Sequence, residues 1–221
     1  MTPDLFSTLV PQPARVTLVP LAPGAVLLRQ RALAQAEALL AGVAEVTAVA
    51  PFRWMSTPNG YRMSVAMTNC GALGWVSDAT GYRYAPLDPA RDAPWPAMPA
   101  AFLELARQAA ADAGFPAFEP DACLVNRYAP GARLSLHQDR NEHDFSQPIV
   151  SVSLGLPAVF QFGGLRRGDP VTRYLLEHGD VVVWGGPARL RYHGVLALKD
   201  GEHAATGACR INLTFRRAGR V

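Results

Sequence analysis

A chain of 221 residues with 49% hydrophobic and 18% charged side chains has ample apolar material for one core with a substantial attached lid. No apolar run approaches the ~20 residues of a membrane span, no export signal is present, and three widely spaced cysteines exclude a disulfide framework, so we expect a cytoplasmic protein without membrane association. The net charge of +3 permits a polyanionic partner without requiring one.

The first half of the chain is predicted to contain two helices and a lid. Residues 1–24 are expected to be irregular because they hold five prolines. Spaced apolar positions predict helices over about 31–47 and 99–113, the second opening on a proline and stopping before a glycine. Residues 50–98 hold three of the four tryptophans among many glycines and prolines, which predicts short strands and turns around exposed aromatics.

The second half of the chain changes to an alternating pattern. Short apolar or alternating runs are separated by turn signals, as in ACLVNRY, IVSVSLGL, AVFQF, DVVVWG and CRINLTFR. Several short strands at this spacing predict an antiparallel sandwich or barrel over residues 120–217. We therefore expect one β-rich α+β catalytic domain over residues 1–221.

The segment LSLHQD carries a candidate metal site. On a strand, Ser135, His137 and Asp139 share one face, so an imidazole and a carboxylate can bind one ion. His193, after the predicted strand DVVVWG, is the candidate third ligand. Two histidines and one carboxylate leave open positions, as in non-haem Fe(II) oxygenases. Taken alone the motif is weak, because a His-x-Asp pair arises by chance in ~25% of chains of this composition and would then indicate a surface pair.

The segment RINLTFR carries a candidate anion clamp. Arg210, Asn212 and Arg216 share one strand face, which is either a solvated edge or a site where guanidinium groups hold carboxylates. Asn126 and Tyr128 share a face in LVNRY and can donate hydrogen bonds to the same anion. A metal with open positions beside a dicarboxylate clamp is what 2-oxoglutarate chemistry requires.

Other chemistries find less support in the sequence. No nucleophile elbow, P-loop or dinucleotide fingerprint is present. A zinc hydrolase could use the same His–Asp–His set, but it would need no keto acid and would leave the paired arginines unexplained. A non-catalytic nucleic-acid-binding protein would need neither the candidate metal site nor the candidate anion clamp.

Long segments of the chain closely resemble the AlkB family of bacterial alkylation-repair dioxygenases. The resemblance runs over about 51–219 and rests on the segments MSVAMTNCGALGW, PDACLVNRYAPGARLSLHQD, PIVSVSLGLPAVFQFGGL, LLEHGDVVVWGG and RINLTFR. It implies a double-stranded β-helix (jelly-roll) core with flanking N-terminal helices and a nucleotide-recognition lid over 50–98. It also implies Fe(II), with 2-oxoglutarate and O2 as co-substrates. Iron would lie at His137, Asp139 and His193, and 2-oxoglutarate against Asn126, Tyr128, Arg210, Asn212 and Arg216.

The same resemblance implies a substrate and a set of contacts for it. The expected lesions are N1-methyladenine and N3-methylcytosine in single-stranded DNA, with RNA as the alternative substrate and with no obligate protein partner. The methyl group would leave as formaldehyde while 2-oxoglutarate becomes succinate and CO2. The damaged base would lie between Trp75 and the ring of His137. Further substrate contacts are expected from Tyr82, Tyr84, Asn141, Arg167, Thr57 and Tyr61.

One position departs from the family pattern. Related enzymes usually carry an acidic residue two positions after the ligand Asp139, where it contacts the exocyclic amine of the damaged base, but this chain has Asn141. An amide brings no negative charge to a cationic methylated base. We therefore expect weaker discrimination against normal bases, or a changed preference between adenine and cytosine, unless Glu142 compensates.

Overall fold

The computed structural model describes residues 17–219, and within them it contains sixteen strands and two α-helices. The helices are α1 (Ala36–Val49) and α2 (Ala100–Asp112). The strands are β1 (Thr17–Ala22), β2 (Ala25–Arg29), β3 (Arg53–Ser56), β4 (Arg62–Gly71), β5 (Gly74–Asp78), β6 (Gly81–Ala85), β7 (Leu87–Asp88), β8 (Ala93–Pro94), β9 (Ala122–Tyr128), β10 (Leu134–His137), β11 (Ile149–Gly155), β12 (Ala158–Phe162), β13 (Thr172–Leu176), β14 (Val181–Trp184), β15 (His193–Val195) and β16 (Arg210–Arg216).

Two antiparallel sheets face each other across an apolar core. The larger sheet has the strand order β1-β2-β14-β11-β16-β9-β4-β3, and the smaller has the order β10-β15-β12-β13. Leu124 and Ile149 of the larger sheet share a buried cluster with Phe160 and Val195 of the smaller one. Sheets packed face to face in this way form a β-sandwich, as the spacing of the predicted strands indicated.

The central strands of the larger sheet separate an apolar face from a polar one. Val125, Leu213 and Phe215 lie in the cluster that packs beneath the helices, where the Phe215 ring meets the Phe102 ring of α2 edge to face at 5.9 Å. Asn126 and Asn212 are directly opposite each other on β9 and β16 and line the space between the sheets. Because side chains alternate along a strand, one run of residues builds both the core and the wall of a site.

The helices lie close to their predicted positions. The predicted span 99–113 is α2 to within a residue at each end, whereas α1 begins at Ala36 because a short 3-10 turn over Leu33–Gln35 precedes it. The two helices approach closely at Gly42, where an added Cβ would lie 2.7 Å from the Phe102 ring. A side chain larger than hydrogen would therefore force the helices apart.

The N-terminal prediction was wrong where the structure describes it. Residues 17–22 form the edge strand β1, paired with β2, although they were expected to be irregular. Pro20 is accommodated because an edge strand tolerates a missing amide hydrogen, and the register shifts between Pro20 and Ala22. Residues 23–24 form a turn, and residues 1–16 of the predicted irregular segment lie outside the described residues.

Part of the predicted lid belongs to the larger sheet. β4 pairs with β9 over six residue pairs, from Ala66 to Gly71, and β3 forms the edge beside it. Only the hairpins β5–β6 and β7–β8 lie outside both sheets. The expectation of exposed aromatics also fails at Trp95, which is buried against Ala50 and Val76. β4 is buried from Val65 to Cys70 on both faces, so it lacks the alternation that marks a half-buried strand.

Neither helix within residues 17–219 is long and apolar enough to cross a membrane.

Candidate active site

Three side chains from the smaller sheet converge on one point. His137 ends β10 and His193 begins β15, and the two residues are directly paired across these strands. Asp139 follows two residues after His137, just beyond the strand. One potential ligand atom from each residue lies within 4.8 Å of the others. The structure therefore brings together the predicted metal ligands.

Backbone carbonyls orient both imidazole rings toward this point. The Nδ1 atom of His137 lies 2.8 Å from the Ser135 carbonyl oxygen, and that of His193 lies 3.0 Å from the Arg191 carbonyl oxygen. A carbonyl only accepts, so each Nδ1 donates to it and each Nε2 is the ring nitrogen left to bind a metal. The Nε2 atoms lie 3.7 and 3.8 Å from the carboxylate oxygens of Asp139.

The electrostatics keep Asp139 and His193 in their metal-binding forms. Burial alone would raise the pKa of Asp139, but Arg216 and the two histidines outweigh it and hold that pKa well below its usual range. Burial, with a further contribution from His137, lowers the pKa of His193 to about 3. One carboxylate with two imidazoles is a donor set that fits a divalent iron ion.

A second group of residues forms a buried anion site on the larger sheet. Arg210 is 1% exposed, and its Nη2 atom donates a 2.9 Å hydrogen bond to Ser153 Oγ. Its Nε and Nη1 atoms are buried without a partner among residues 17–219, although the residue lines the cavity described next. The guanidinium carbon lies 5.0 Å from the centroid of the Tyr128 ring. A buried cation with two free donors fits a carboxylate, because such groups are normally paired.

The metal point and the anion site open into one cavity of about 820 Å3. Its wall includes Asn126 and Asn212, joined by a 3.2 Å hydrogen bond from Asn126 Nδ2 to Asn212 Oδ1. Asn212 Nδ2 in turn donates to Ser151 Oγ at 2.9 Å. Fourteen of the fifteen predicted site residues line this cavity. They are Thr57, Tyr61, Trp75, Tyr82, Asn126, Tyr128, His137, Asp139, Asn141, Arg167, His193, Arg210, Asn212 and Arg216.

Comparison with known proteins agrees with this donor set. The profile of the 2OG-Fe(II) oxygenase superfamily matches residues 24–216. The chain belongs to this superfamily. It is 64% identical over 199 residues to the alpha-ketoglutarate-dependent dioxygenase AlkB of Salmonella typhimurium, covering 90% of this chain and 92% of the relative. It is 62% identical over 201 residues to the Escherichia coli protein of the same name, covering 91% and 93%.

A solved structure shows the same fold. The structure of OsALKBH1 matches with a TM-score of 0.73 at 29% identity, covering 91% of this chain and 100% of that one. The predicted jelly-roll fold is confirmed, and so is the prediction of a 2-oxoglutarate-dependent dioxygenase that uses Fe(II) and O2.

The arginine of this oxygenase nearest the metal point contacts Asp139. Arg216, which was predicted to share the clamp with Arg210, donates hydrogen bonds of 2.9 and 2.7 Å from Nε and Nη2 to Asp139 Oδ2. Its Nε atom also lies 3.4 Å from Glu142 Oε1. Burial would lower the pKa of Arg216, but Asp139 and other nearby groups raise it. Arg216 thus neutralises the ligand carboxylate while still lining the cavity.

The lid hairpin supplies an aromatic wall to the cavity. The Trp75 and Tyr82 rings are stacked at 5.7 Å, with an interplanar angle of 14°. The Asn69 side chain holds the Trp75 backbone through two 3.0 Å hydrogen bonds. Asn141 Oδ1 accepts a 3.2 Å hydrogen bond from Trp75 Nε1, and its Nδ2 atom lies 3.4 Å from the Tyr82 carbonyl oxygen. Asn141 therefore contacts both residues of this wall, through the Trp75 ring and the Tyr82 backbone.

Tyr84 is the one predicted substrate residue that does not line the cavity. Its hydroxyl donates a 2.6 Å hydrogen bond to Glu142 Oε1. Glu142 Oε2 accepts a 3.0 Å hydrogen bond from Arg189 Nη2, and both side chains are almost fully buried. Because Glu142 is enclosed by Tyr84, Arg189 and Arg216, its charge is already neutralised. It cannot compensate for the missing acid at Asn141.

Sequence reasoning missed several supporting residues. Ser151 and Ser153 alternate with valines in IVSVSLG, so the same periodicity that located β11 also places both on the cavity-facing side. Gln138 lies between two metal ligands, and its side chain donates to the Leu190 carbonyl oxygen. Arg189 carries no comparable signal, because only the folded chain brings it to Glu142.

Proposed function

We propose that this oxygenase removes methyl groups from N1-methyladenine and N3-methylcytosine in single-stranded DNA. The observation that carries the proposal is the single cavity that joins the His137–Asp139–His193 point to the Trp75–Tyr82 wall. A more distant mouse relative named nucleic acid dioxygenase ALKBH1 supports a nucleic-acid substrate, with 37% identity over 108 residues, 48% of this chain and 28% of that protein.

The residues of the larger sheet are proposed to hold the co-substrate. The free Nε and Nη1 atoms of Arg210 bind the far carboxylate of 2-oxoglutarate, assisted by the Tyr128 hydroxyl. Asn126, whose Oδ1 atom has no partner among residues 17–219, and Asn212 line the path from Arg210 to the metal ligands. Bound at this site, iron and 2-oxoglutarate supply the O2 activation that oxidises the methyl group.

The lid residues are proposed to hold the damaged base. An extruded base needs flat surfaces to replace the stacking it loses, and Trp75 and His137 both line the cavity. Oxidation of the N-methyl group gives a hemiaminal, which breaks its C–N bond to release formaldehyde and the repaired base. Thr57, Tyr61 and Arg167 also line the cavity, where they can contact the strand.

A direct assay tests this function. Purified protein with Fe(II) and 2-oxoglutarate is mixed with O2 and matched DNA or RNA oligonucleotides, each bearing one methylated base. We expect equal amounts of succinate and formaldehyde, with DNA turned over faster than RNA. His137→Ala should abolish both products because it removes a metal ligand.

Three other results of this assay would contradict parts of the proposal. Succinate formation that no methylated base stimulates would contradict a nucleic-acid substrate. Faster turnover of RNA would replace DNA by RNA as the substrate. Full activity of the His137→Ala protein would refute the ligand assignment.

A further inference from the structure

An exposed tryptophan and an arginine form a stacked pair on the edge of the larger sheet. Trp54 lies on β3 and is 47% exposed. Arg62, the first residue of β4, holds its guanidinium carbon 4.4 Å from the Trp54 ring centroid. A guanidinium over an indole ring is a favourable cation–π arrangement, and both partners are flat. The pair therefore presents a planar cationic surface to solvent.

The Trp54–Arg62 pair adjoins the active-site cavity. Arg62 lines that cavity together with Thr57 and Tyr61. Trp54 and Thr57 line a separate groove of about 540 Å3. Since Thr57 belongs to both walls and Arg62 contacts Trp54, a strand that leaves the cavity on this side meets the pair next.

This edge of the cavity also carries positive charge without a carboxylate partner. Within residues 17–219, no carboxylate oxygen lies within 4.0 Å of Arg62 or Arg133. Ser64, two residues after Arg62, accepts a 3.0 Å hydrogen bond from the Arg133 amide and donates one of 2.9 Å to its carbonyl oxygen. The two guanidinium groups thus lie on one wall, where they suit the phosphates of a bound strand.

We propose that Trp54 and Arg62 form a subsite for the nucleobase next to the damaged one in the same strand. This inference rests on the proposed function, because its occupant is the flank of that substrate. Extruding one base exposes the faces of its neighbours, and stacking a neighbour on the Trp54–Arg62 pair offsets that loss. A positively charged groove with aromatic platforms is the usual means of holding single strands.

The test compares Trp54→Ala with the conservative variant Trp54→Phe. The first substrate is a pentanucleotide with a central N1-methyladenine. Two further strands each replace one neighbour of the lesion by an abasic residue, on the 5′ side in one and on the 3′ side in the other. The last substrate is N1-methyl-dAMP alone. We expect Trp54→Ala to raise KM for the intact pentanucleotide by about tenfold, since stacking on an aromatic side chain contributes that order of affinity. The kcat should not change, and Trp54→Phe should retain most of the affinity.

The abasic strands locate the stacked neighbour. One of them should raise the wild-type KM as much as Trp54→Ala does, and on that strand the substitution should have no further effect. N1-methyl-dAMP should react equally with both proteins because it has no neighbour to stack. Leu175→Ala is the matched control, since Leu175 is 49% exposed on the opposite sheet and lies outside the cavity wall.

Three results would overturn the subsite. The first is that Trp54→Ala leaves the KM for the pentanucleotide unchanged. The second is that it raises the KM for N1-methyl-dAMP as much as that for the pentanucleotide. The third is that Trp54→Ala raises the KM for both abasic strands by the same factor as for the intact strand. Failure of the proposed function gives a different result, because the wild-type protein would then leave every methylated substrate intact. In that case the subsite would have no strand to bind.

Discussion

Arg210 is a buried cation, and two of its donor atoms have no partner in the part of the chain that the structure describes. Burial lowers the pKa of this guanidinium, which marks the cost of keeping the charge away from water. Such a residue is poorly placed to stabilise the protein alone and well placed to receive a carboxylate. Substitution of Arg210 should therefore have opposite effects on the stability of the protein and on its affinity for the co-substrate.

Arg210→Met is expected to raise Tm and weaken 2-oxoglutarate binding. Removal of the buried charge should raise Tm by about 2–4 °C, corresponding to roughly 1 kcal/mol in a chain of this size. Loss of the charged hydrogen bonds should raise the Kd of 2-oxoglutarate by at least about tenfold. Differential scanning calorimetry and anaerobic titration calorimetry measure the two effects. Arg167→Met, on the cavity wall, is the control and should leave this Kd unchanged.

Asn141→Asp should improve discrimination between methylated and normal bases. The new carboxylate can still accept from Trp75 Nε1, and it adds a charge that attracts a cationic N1-methyladenine. We expect the ratio of Kd values for unmethylated and methylated strands to rise about fivefold, as for a partly exposed charge pair. Fluorescence anisotropy with both strands measures it, and equal ratios in the two proteins would refute the idea.

At the scale of elements, the lid hairpin is tied to the metal centre through buried polar groups. Tyr84 on β6 donates to Glu142, which lies 3.4 Å from Arg216, which in turn holds Asp139. Trp75 and Tyr82 belong to the same hairpin, so the wall for the base and the metal ligand share one support. Burial raises the pKa of the Tyr84 hydroxyl well above its usual range, so it stays a donor.

Tyr84→Phe is expected to destabilise the protein. It removes the 2.6 Å hydrogen bond to the buried Glu142 Oε1 and leaves that oxygen only the 3.4 Å contact with Arg216 Nε, which costs about 1–3 kcal/mol in the free energy of unfolding. Tyr82→Phe is the matched control from the same strand, because Tyr82 is 44% exposed and its substitution should change that free energy by less than about 0.5 kcal/mol. Urea denaturation of both variants measures the difference, and equal stabilities would show that the Tyr84 hydroxyl bond is not important.

At the scale of the whole molecule, the site bridges two sheets. The metal ligands belong to the smaller sheet or directly follow its strand β10, whereas Arg210 and Asn126 belong to the larger one. A co-substrate bound to both the metal and Arg210 would therefore connect the sheets. Such a ligand binds only the folded chain and must stabilise it.

Metal and 2-oxoglutarate should stabilise the fold cooperatively. With Mn(II) in place of Fe(II) to prevent turnover, both ligands at about 100 times their Kd should raise Tm by roughly 10–20 °C. Either one alone should have a smaller effect, and together they should exceed the sum of their separate shifts. The His137→Ala protein should lose this excess. Merely additive shifts in the wild-type protein would mean that the ligands do not meet.

Local patterns of the sequence determined much of the fold. Alternation in LVNRY and RINLTFR placed both strands and predicted which residues share a face, because the period of a strand is two whatever surrounds it. The same rule predicted that His137 and Asp139 lie together, and they do, although Asp139 follows the end of β10. It failed for β4, which is buried on both faces, and for β1, whose Pro20 is tolerated only because β1 lies at an edge.

Tertiary structure alone decided which distant residues meet. Three contacts of the site join residues that lie 47 to 77 positions apart in the chain. They are the pairing of His137 with His193, the contact of Arg216 with Asp139 and that of Arg189 with Glu142. Strand periodicity states which way a side chain points, but not which strand lies beside it. The packing of the whole core selects which strands are neighbours. The sequence could therefore predict the candidate metal ligands, whereas only the fold revealed which residues surround them.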